Sequence, residues 1–136
     1  MREGHGTLHE HDGSKYIGAW KHDSRNGKGF YTKPDGSKYD GEYLDGLKHG
    51  RGLDIKSDGT RYDGIFKHGK RHGRGTLKKS TGEVYEGMWE EDEQHGEGRL
   101  TEPNGTRYVG EFVHGRKDGR GVITRKSGYS FDGSWH

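Results

Sequence analysis

The 136 residues carry 24 Lys or Arg against 22 Asp or Glu, a net charge of +2, too weak a bias to point to nucleic acid. There is no cysteine, which excludes disulfides and thiol chemistry, and no apolar run approaches a signal-peptide core or a membrane-spanning helix. At 24% hydrophobic and 34% charged the composition is that of a disordered chain, unless its few apolar residues are placed by a rule.

They are. The chain opens with Gly4-x-Gly6 in a half repeat over residues 1–13. Full repeats then begin at 14, 37, 60, 83 and 106, and a half repeat over 129–136 ends on a sixth aromatic pair. Aromatic-x-Gly-x-aromatic recurs every 23 residues at Tyr16–Trp20, Tyr39–Tyr43, Tyr62–Phe66, Tyr85–Trp89, Tyr108–Phe112 and Phe131–Trp135. Gly-x-Gly keeps the same step from Gly4/Gly6 to Gly119/Gly121, and a third glycine series runs from Gly13 to Gly128. Twelve of the fifteen aromatic residues occupy the motif slots, so the spacing, not the composition, decides the class: an array of one supersecondary unit.

Glycine every few residues leaves no room for helices of ordinary length. Strands fit, because residues one, three and five of Tyr39-Asp-Gly-Glu-Tyr43 share a face. Gly27, Gly29 and Tyr31 share one in the preceding strand, and a strand without side chains leaves space for a neighbouring ring to lie flat across it. "KPDG" at Lys33–Gly36, "KSDG" at Lys56–Gly59 and "EPNG" at Glu102–Gly105 are hairpin turns. The alternate links, such as Asp45–His49, read as short loops with Gly, Asp or Asn in the left-handed region. Neither link can make a crossover, so successive strands pair antiparallel. The expectation is an all-β fold: an elongated, twisted, single-layer antiparallel meander of about twelve strands built from 23-residue β-hairpin repeats, roughly 50 Å long.

Tyr-x-Gly-x-Trp, as at Tyr85–Trp89, followed by a short loop, His95-Gly96-x-Gly98 and then Asn104-Gly105 (Asp-Gly in other units, as at Asp58-Gly59), resembles the MORN repeat (membrane occupation and recognition nexus) over almost the whole chain. The resemblance implies an elongated, twisted single-layer sheet. In the residues themselves no Ser/His/Asp order, paired-carboxylate spacing or phosphate-cradling loop stands out, so neither enzymatic activity nor a cofactor is expected. It also implies a scaffold or protein-binding role in the cytoplasm at cytoskeletal or membrane-associated structures; phosphoinositide binding has been proposed for some members. Asp54 departs from the pattern, occupying a slot held elsewhere by Leu8, Tyr31, Leu77, Leu100 and Ile123. Either a bulge shifts that strand, or its neighbours Leu53 and Ile55 face the other way. Asp23 and Asp92 replace the loop glycine. The bare half repeats at both ends are expected of a fragment of a longer array.

Three surfaces are candidates for binding. The first is the aromatic face, Tyr16, Trp20, Tyr39, Tyr43, Tyr62, Phe66, Tyr85, Trp89, Tyr108 and Phe112, whose incompletely covered rings would clamp a peptide or helix. The second is a back-face cluster outside the repeat consensus, Ile17, Phe30, Leu53, Ile55 and Ile65, with Ala19 and Leu44 beside it on adjoining strands. The third is a basic loop edge, Arg25, Lys48, Lys70, Arg71, Arg116 and Lys117, interrupted by Glu90–Glu93; it would take anionic phospholipid or an acidic partner. Six of the ten histidines lie in the same loops, His68 and His72 closest, but no Cys and no dense carboxylate–His cluster joins them, so no metal site is expected. The sequence thus reads as a non-catalytic interaction module for a protein or peptide segment, with a membrane-surface module as the alternative. The unpaired terminal strands, near Gly4–His9 and Phe131–Trp135, are expected to support end-to-end or face-to-face pairing, most simply a two-fold dimer.

Overall fold

The computed structural model describes residues 3–135. Twelve strands follow in order: β1 (Gly4–His9), β2 (Lys15–Lys21), β3 (Ser24–Thr32), β4 (Lys38–Leu44), β5 (Leu47–Ile55), β6 (Arg61–Lys67), β7 (Lys70–Lys78), β8 (Val84–Glu90), β9 (Glu93–Thr101), β10 (Arg107–Val113), β11 (Arg116–Thr124) and β12 (Ser130–Trp135). They form one open sheet in chain order, each strand antiparallel to its sequence neighbours, and no helix occurs among the described residues.

Two turn chemistries alternate along the sheet. After each odd-numbered strand the chain makes a tight turn closed by the glycine N–H, as from Gly36 to the Lys33 carbonyl (3.0 Å), with Gly36 at φ +93°. The turn aspartate accepts the next N–H, Ser37 N to Asp35 Oδ1 at 2.8 Å, and the same bond recurs at Asp12, Asp58 and Asn104. That bond holds the Asp12, Asp35 and Asp58 carboxyls below the usual range. After each even-numbered strand the link is only two residues, both at positive φ: His22-Asp23, Asp45-Gly46, His68-Gly69, Glu91-Asp92 and His114-Gly115. These are type I′ turns, whose backbone twist matches that of the flanking strands. The looser loop expected over Asp45–His49 is therefore not there; Leu47–His49 already belong to β5.

The Gly-x-Gly pair divides its labour. Between β2 and β3 the register runs Gly18↔Gly29 and then Trp20↔Arg25, so β3 spends four residues where β2 spends two. The bulge sits at Gly27, whose φ of +87° directs a hypothetical Cβ to Ala19 on the back face, not to the rings. Only Gly29 serves the aromatic face: a Cβ there would overlap the Tyr16 ring. Gly18 abuts the Gly29 Cα and the Lys28 carbonyl, so it is closed by facing backbone. The same assignments repeat in all five bulged hairpins. Asp54 pairs with Tyr39 in the register its equivalents use, so no extra bulge forms there, and Leu53 and Ile55 turn to the back.

This geometry ranks glycine substitutions. Gly75→Ala drives a methyl into the Tyr62 ring and is expected to cost about 3 kcal/mol, as overpacking does. Gly59→Ala, at φ +93° with open space around it, should cost about 1 kcal/mol of backbone strain. Circular-dichroism melts of the two variants check this; equal losses would mean that the ring–glycine contact does not hold the sheet.

Candidate functional site

The twelve motif rings make one continuous chain of edge-to-face contacts. Tyr16 meets Trp20 at 5.1 Å and Tyr43 at 5.4 Å; Tyr39 meets Tyr43 at 5.1 Å and Phe66 at 5.5 Å. The series continues without a break to Trp135 and Phe131. Each tyrosine hydroxyl of the first slot donates to the backbone carbonyl three residues on, as Tyr39 Oη does to the Glu42 oxygen at 2.7 Å. Leu8, Tyr31, Leu77, Leu100 and Ile123 pack along the same row.

This corrects the expectation of an open aromatic face. Tyr16, Trp20, Tyr39, Tyr43, Tyr62, Phe66, Tyr85, Trp89, Tyr108 and Phe112 are all 8% exposed or less; a ring lying on glycine and edge-on to two others has no free face left to clamp a partner. Only Phe131, at 51%, stands open. Burial raises the phenol pKa of Tyr16, Tyr39, Tyr43 and Tyr108, and takes Tyr62 and Tyr85 to about 12. The fold holds these protons more tightly than the unfolded chain, whose tyrosines titrate near 10.0. Their contribution is complete below pH 10 and is lost as pH rises towards 12. Spectrophotometric titration with parallel melts should show most tyrosines ionising late and together with unfolding; ionisation near pH 10 without loss of structure would contradict the burial.

Above the rings stands a second row. Arg25 lies over Tyr16, Tyr31 and Tyr43 at 4.6–5.7 Å, Lys48 over Tyr39 and Phe66, Arg71 over Tyr62 and Trp89, and Lys117 over Tyr108. The two-residue turn and the bulge put these residues opposite the second aromatic slot, as in Trp20↔Arg25 and Tyr43↔Lys48. Four of the six residues expected on a basic loop edge therefore cap the aromatic face instead. Three of those are neutralised: Arg25 by Glu10 (3.0 Å), Lys48 by Asp54 (3.2 Å) and Arg71 by Asp92 (2.6 Å). Lys70 and Arg116 do lie at the turns, and Lys70 pairs with Glu91 at 3.0 Å. Asp54, the departure in the repeat, is thus the counter-ion of Lys48.

Side chains rise on both sides of this row and leave a groove. Its first stretch, about 670 Å³, is lined by Tyr31, Lys33, Leu47, Lys48, Asp54 and Lys56 among others. A smaller hollow around Asp54, Thr60 and Leu77 joins it to a second stretch of about 890 Å³ bounded by Lys79, Trp89, Leu100 and Lys117. Nine basic and six acidic residues line the whole.

The back-face residues do not form the single patch expected of them. Ile17 (44% exposed) and Phe30 (37%) are register partners, but Asp40 separates Phe30 from Leu53, and Asp63 follows Leu53. Ile55 sits between Lys38 and Arg61, and Ile65 faces Arg51. These residues lie on β2, β3, β5 and β6, and charged residues of β4, β5 and β6 stand between them. Of the histidines, His68 lies beside His49 with the rings tilted (5.7 Å between ring centroids), and His95 lies 6.1 Å from His114. Among the described residues no group of three or more His, Asp or Glu side chains is arranged to hold a metal ion. The basic row over the rings escaped the sequence reading, although Arg25, Lys48, Arg71 and Lys117 carry the 23-residue step, with Gln94 in the fourth repeat.

The MORN repeat family matches five consecutive units, residues 16–38, 39–61, 62–84, 85–107 and 108–128. The chain belongs to the MORN-repeat family. No curated protein matches it. Among solved structures, the Drosophila melanogaster SAS-4 (dCPAP) TCP domain, in complex with a proline-rich motif of Ana2 (dSTIL), is similar to the MORN array in fold. The TM-score is 0.50 at 11% identity, over 96% of this chain and 90% of that one. No helix among the described residues of the MORN array is long and apolar enough to cross a membrane.

Proposed function

We propose that this MORN array is a non-catalytic scaffold that binds an extended segment of a partner protein along the groove on its aromatic side. The observation that carries the reading is the groove itself: a continuous concavity from β3 to β11 whose floor is held rigid by the ring chain. A rigid floor lowers the ordering cost of binding, and accessible polar groups over a sealed apolar base give orientation as well as contact. The TCP domain of similar fold is in complex with a peptide motif, which supports a peptide as the class of ligand. Such a scaffold would act in the cytoplasm at a cytoskeletal or membrane-associated structure. The alternative, docking on anionic phospholipid through a basic edge, is weakened by the carboxylates that neutralise Arg25, Lys48, Lys70 and Arg71.

Leu47 is 48% exposed and lines the groove, whereas Phe30 is on the back. Peptides selected by display against the 136-residue chain should lose at least about tenfold in affinity with Leu47→Glu, a change of about 1.4 kcal/mol, and almost nothing with Phe30→Ser. The reverse ranking would place binding on the back face and end the groove reading.

A further inference from the structure

The groove has an outer rim that differs from its inner row. Lys33, Lys56 and Lys79 each open the tight turn after β3, β5 and β7, and all three side chains are exposed and line the groove. Their backbone groups are committed to the turn, as in Lys56 N to the Thr60 carbonyl (2.8 Å) and Gly59 N to the Lys56 carbonyl (2.9 Å). The base of each side chain is therefore fixed while its ammonium is not. Among the described residues Lys33 and Lys56 make no ion pair, and Lys79 makes only an exposed one with Glu83 at 2.9 Å, the kind that competes weakly with a ligand. The same position holds Glu10 in the first half repeat and Glu102 in the fifth full turn. The rim thus offers three positive charges in a row, with the turn carboxylates Asp35 and Asp58 beside Lys33 and Lys56, closed at both ends by carboxylates.

The period of that row selects a ligand conformation. Successive rim lysines are two strands apart, about 9.6 Å. A polyproline II helix has three residues per turn and rises about 9.3 Å per turn, so side chains at i, i+3 and i+6 point the same way in step with the lysines. A β-strand puts same-side residues about 6.7 Å apart, and an α-helix repeats a face every seven residues, about 10.5 Å; both drift out of register over three lysines. Much of the floor suits the same ligand: Tyr31, Leu77 and Leu100 lie below, interrupted by Asp54 where it pairs with Lys48, and Leu47 stands on the opposite wall, a largely aromatic and apolar lining of the sort on which polyproline segments dock.

Resting on the groove reading above, we infer that the occupant is a polyproline II segment with an acidic side chain at every third residue, its three carboxylates meeting Lys33, Lys56 and Lys79. The probe is a labelled peptide of three Glu-Pro-Pro units, titrated with the 136-residue chain by fluorescence anisotropy. It should bind, weaken with added salt, and lose about tenfold in affinity with the triple variant Lys33→Gln/Lys56→Gln/Lys79→Gln. A Glu-Pro peptide of equal charge but two-residue period should bind about tenfold more weakly. Equal affinity for the two periods, indifference to the lysine variants, or tighter binding of a helical peptide with Glu at every seventh residue would each overturn the inference. So would lysine-dependent binding to phosphoinositide vesicles that the Glu-Pro-Pro peptide does not compete. If display-selected peptides respond to Leu47→Glu while the Glu-Pro-Pro peptide fails, this inference falls and the groove reading stands; if neither binds in the groove, both fall.

Discussion

Everything in this molecule depends on one contact, a tyrosine ring lying flat on the glycine of the next strand. The ring reaches across because its hydroxyl has somewhere to go: it donates to the carbonyl three residues on in its own strand, 2.7–2.9 Å away in each of five repeats. A glycine spared any Cβ is the complementary half, since a methyl at Gly29, Gly52 or Gly75 would occupy the ring's place. Once the ring is down, its edge and face are met by the second aromatic of its own motif and that of the next, at 5.0–5.5 Å. Edge-to-face pairs are worth about 1 kcal/mol each beyond burial. Linking them in series gives a single-layer sheet a core without a second layer.

That solution also relocates recognition. Rings that seal one another cannot be the landing surface, so whatever this face binds must address the residues standing above them. The inner row of Arg25, Lys48 and Arg71 satisfies the rings' electrostatics and is in turn satisfied by Glu10, Asp54 and Asp92. Two of these pairs reach across repeats, from β3 to the turn after β1 and from β7 to the turn after β8, while Lys48 and Asp54 share β5. They brace the array and are half-exposed at most on the cationic side. Among the described residues the outer Lys33 and Lys56 make no ion pair, and Lys79 makes only an exposed one with Glu83. A repeat protein thus separates structural charge from available charge by a few positions within each unit.

The back face teaches the opposite lesson about apolar residues. Ile17 and Phe30, like Val109 and Val122, are paired across bulged hairpins, and cross-strand pairs of this kind stabilise a sheet locally. Their exposure needs no partner to explain it. Between the two pairs the same row reads Asp40, Leu53, Asp63, Thr76, Glu86 and Arg99, a polar stretch that breaks any continuous docking surface.

The repeat, the strand count, the antiparallel order and the ring-on-glycine principle were legible in the sequence, because each is a local pattern copied six times and copying removes ambiguity. Which glycine serves the ring was not: Gly27 and Gly29 look alike at alternate positions, and only the bulge, which sets Gly27 at φ +87° towards Ala19, distinguishes them. Nor was the length of the alternate turn, since His22, His68, Glu91 and His114 adopt a left-handed φ that their side chains do not advertise. The twist of the flanking strands imposes that conformation. With the turn shortened to two residues, Arg25, Lys48, Arg71 and Lys117 leave the loops and come to stand on the rings. The groove and its neutralised inner row follow from that shift, which rests on pairing between strands and is therefore decided by the tertiary structure alone.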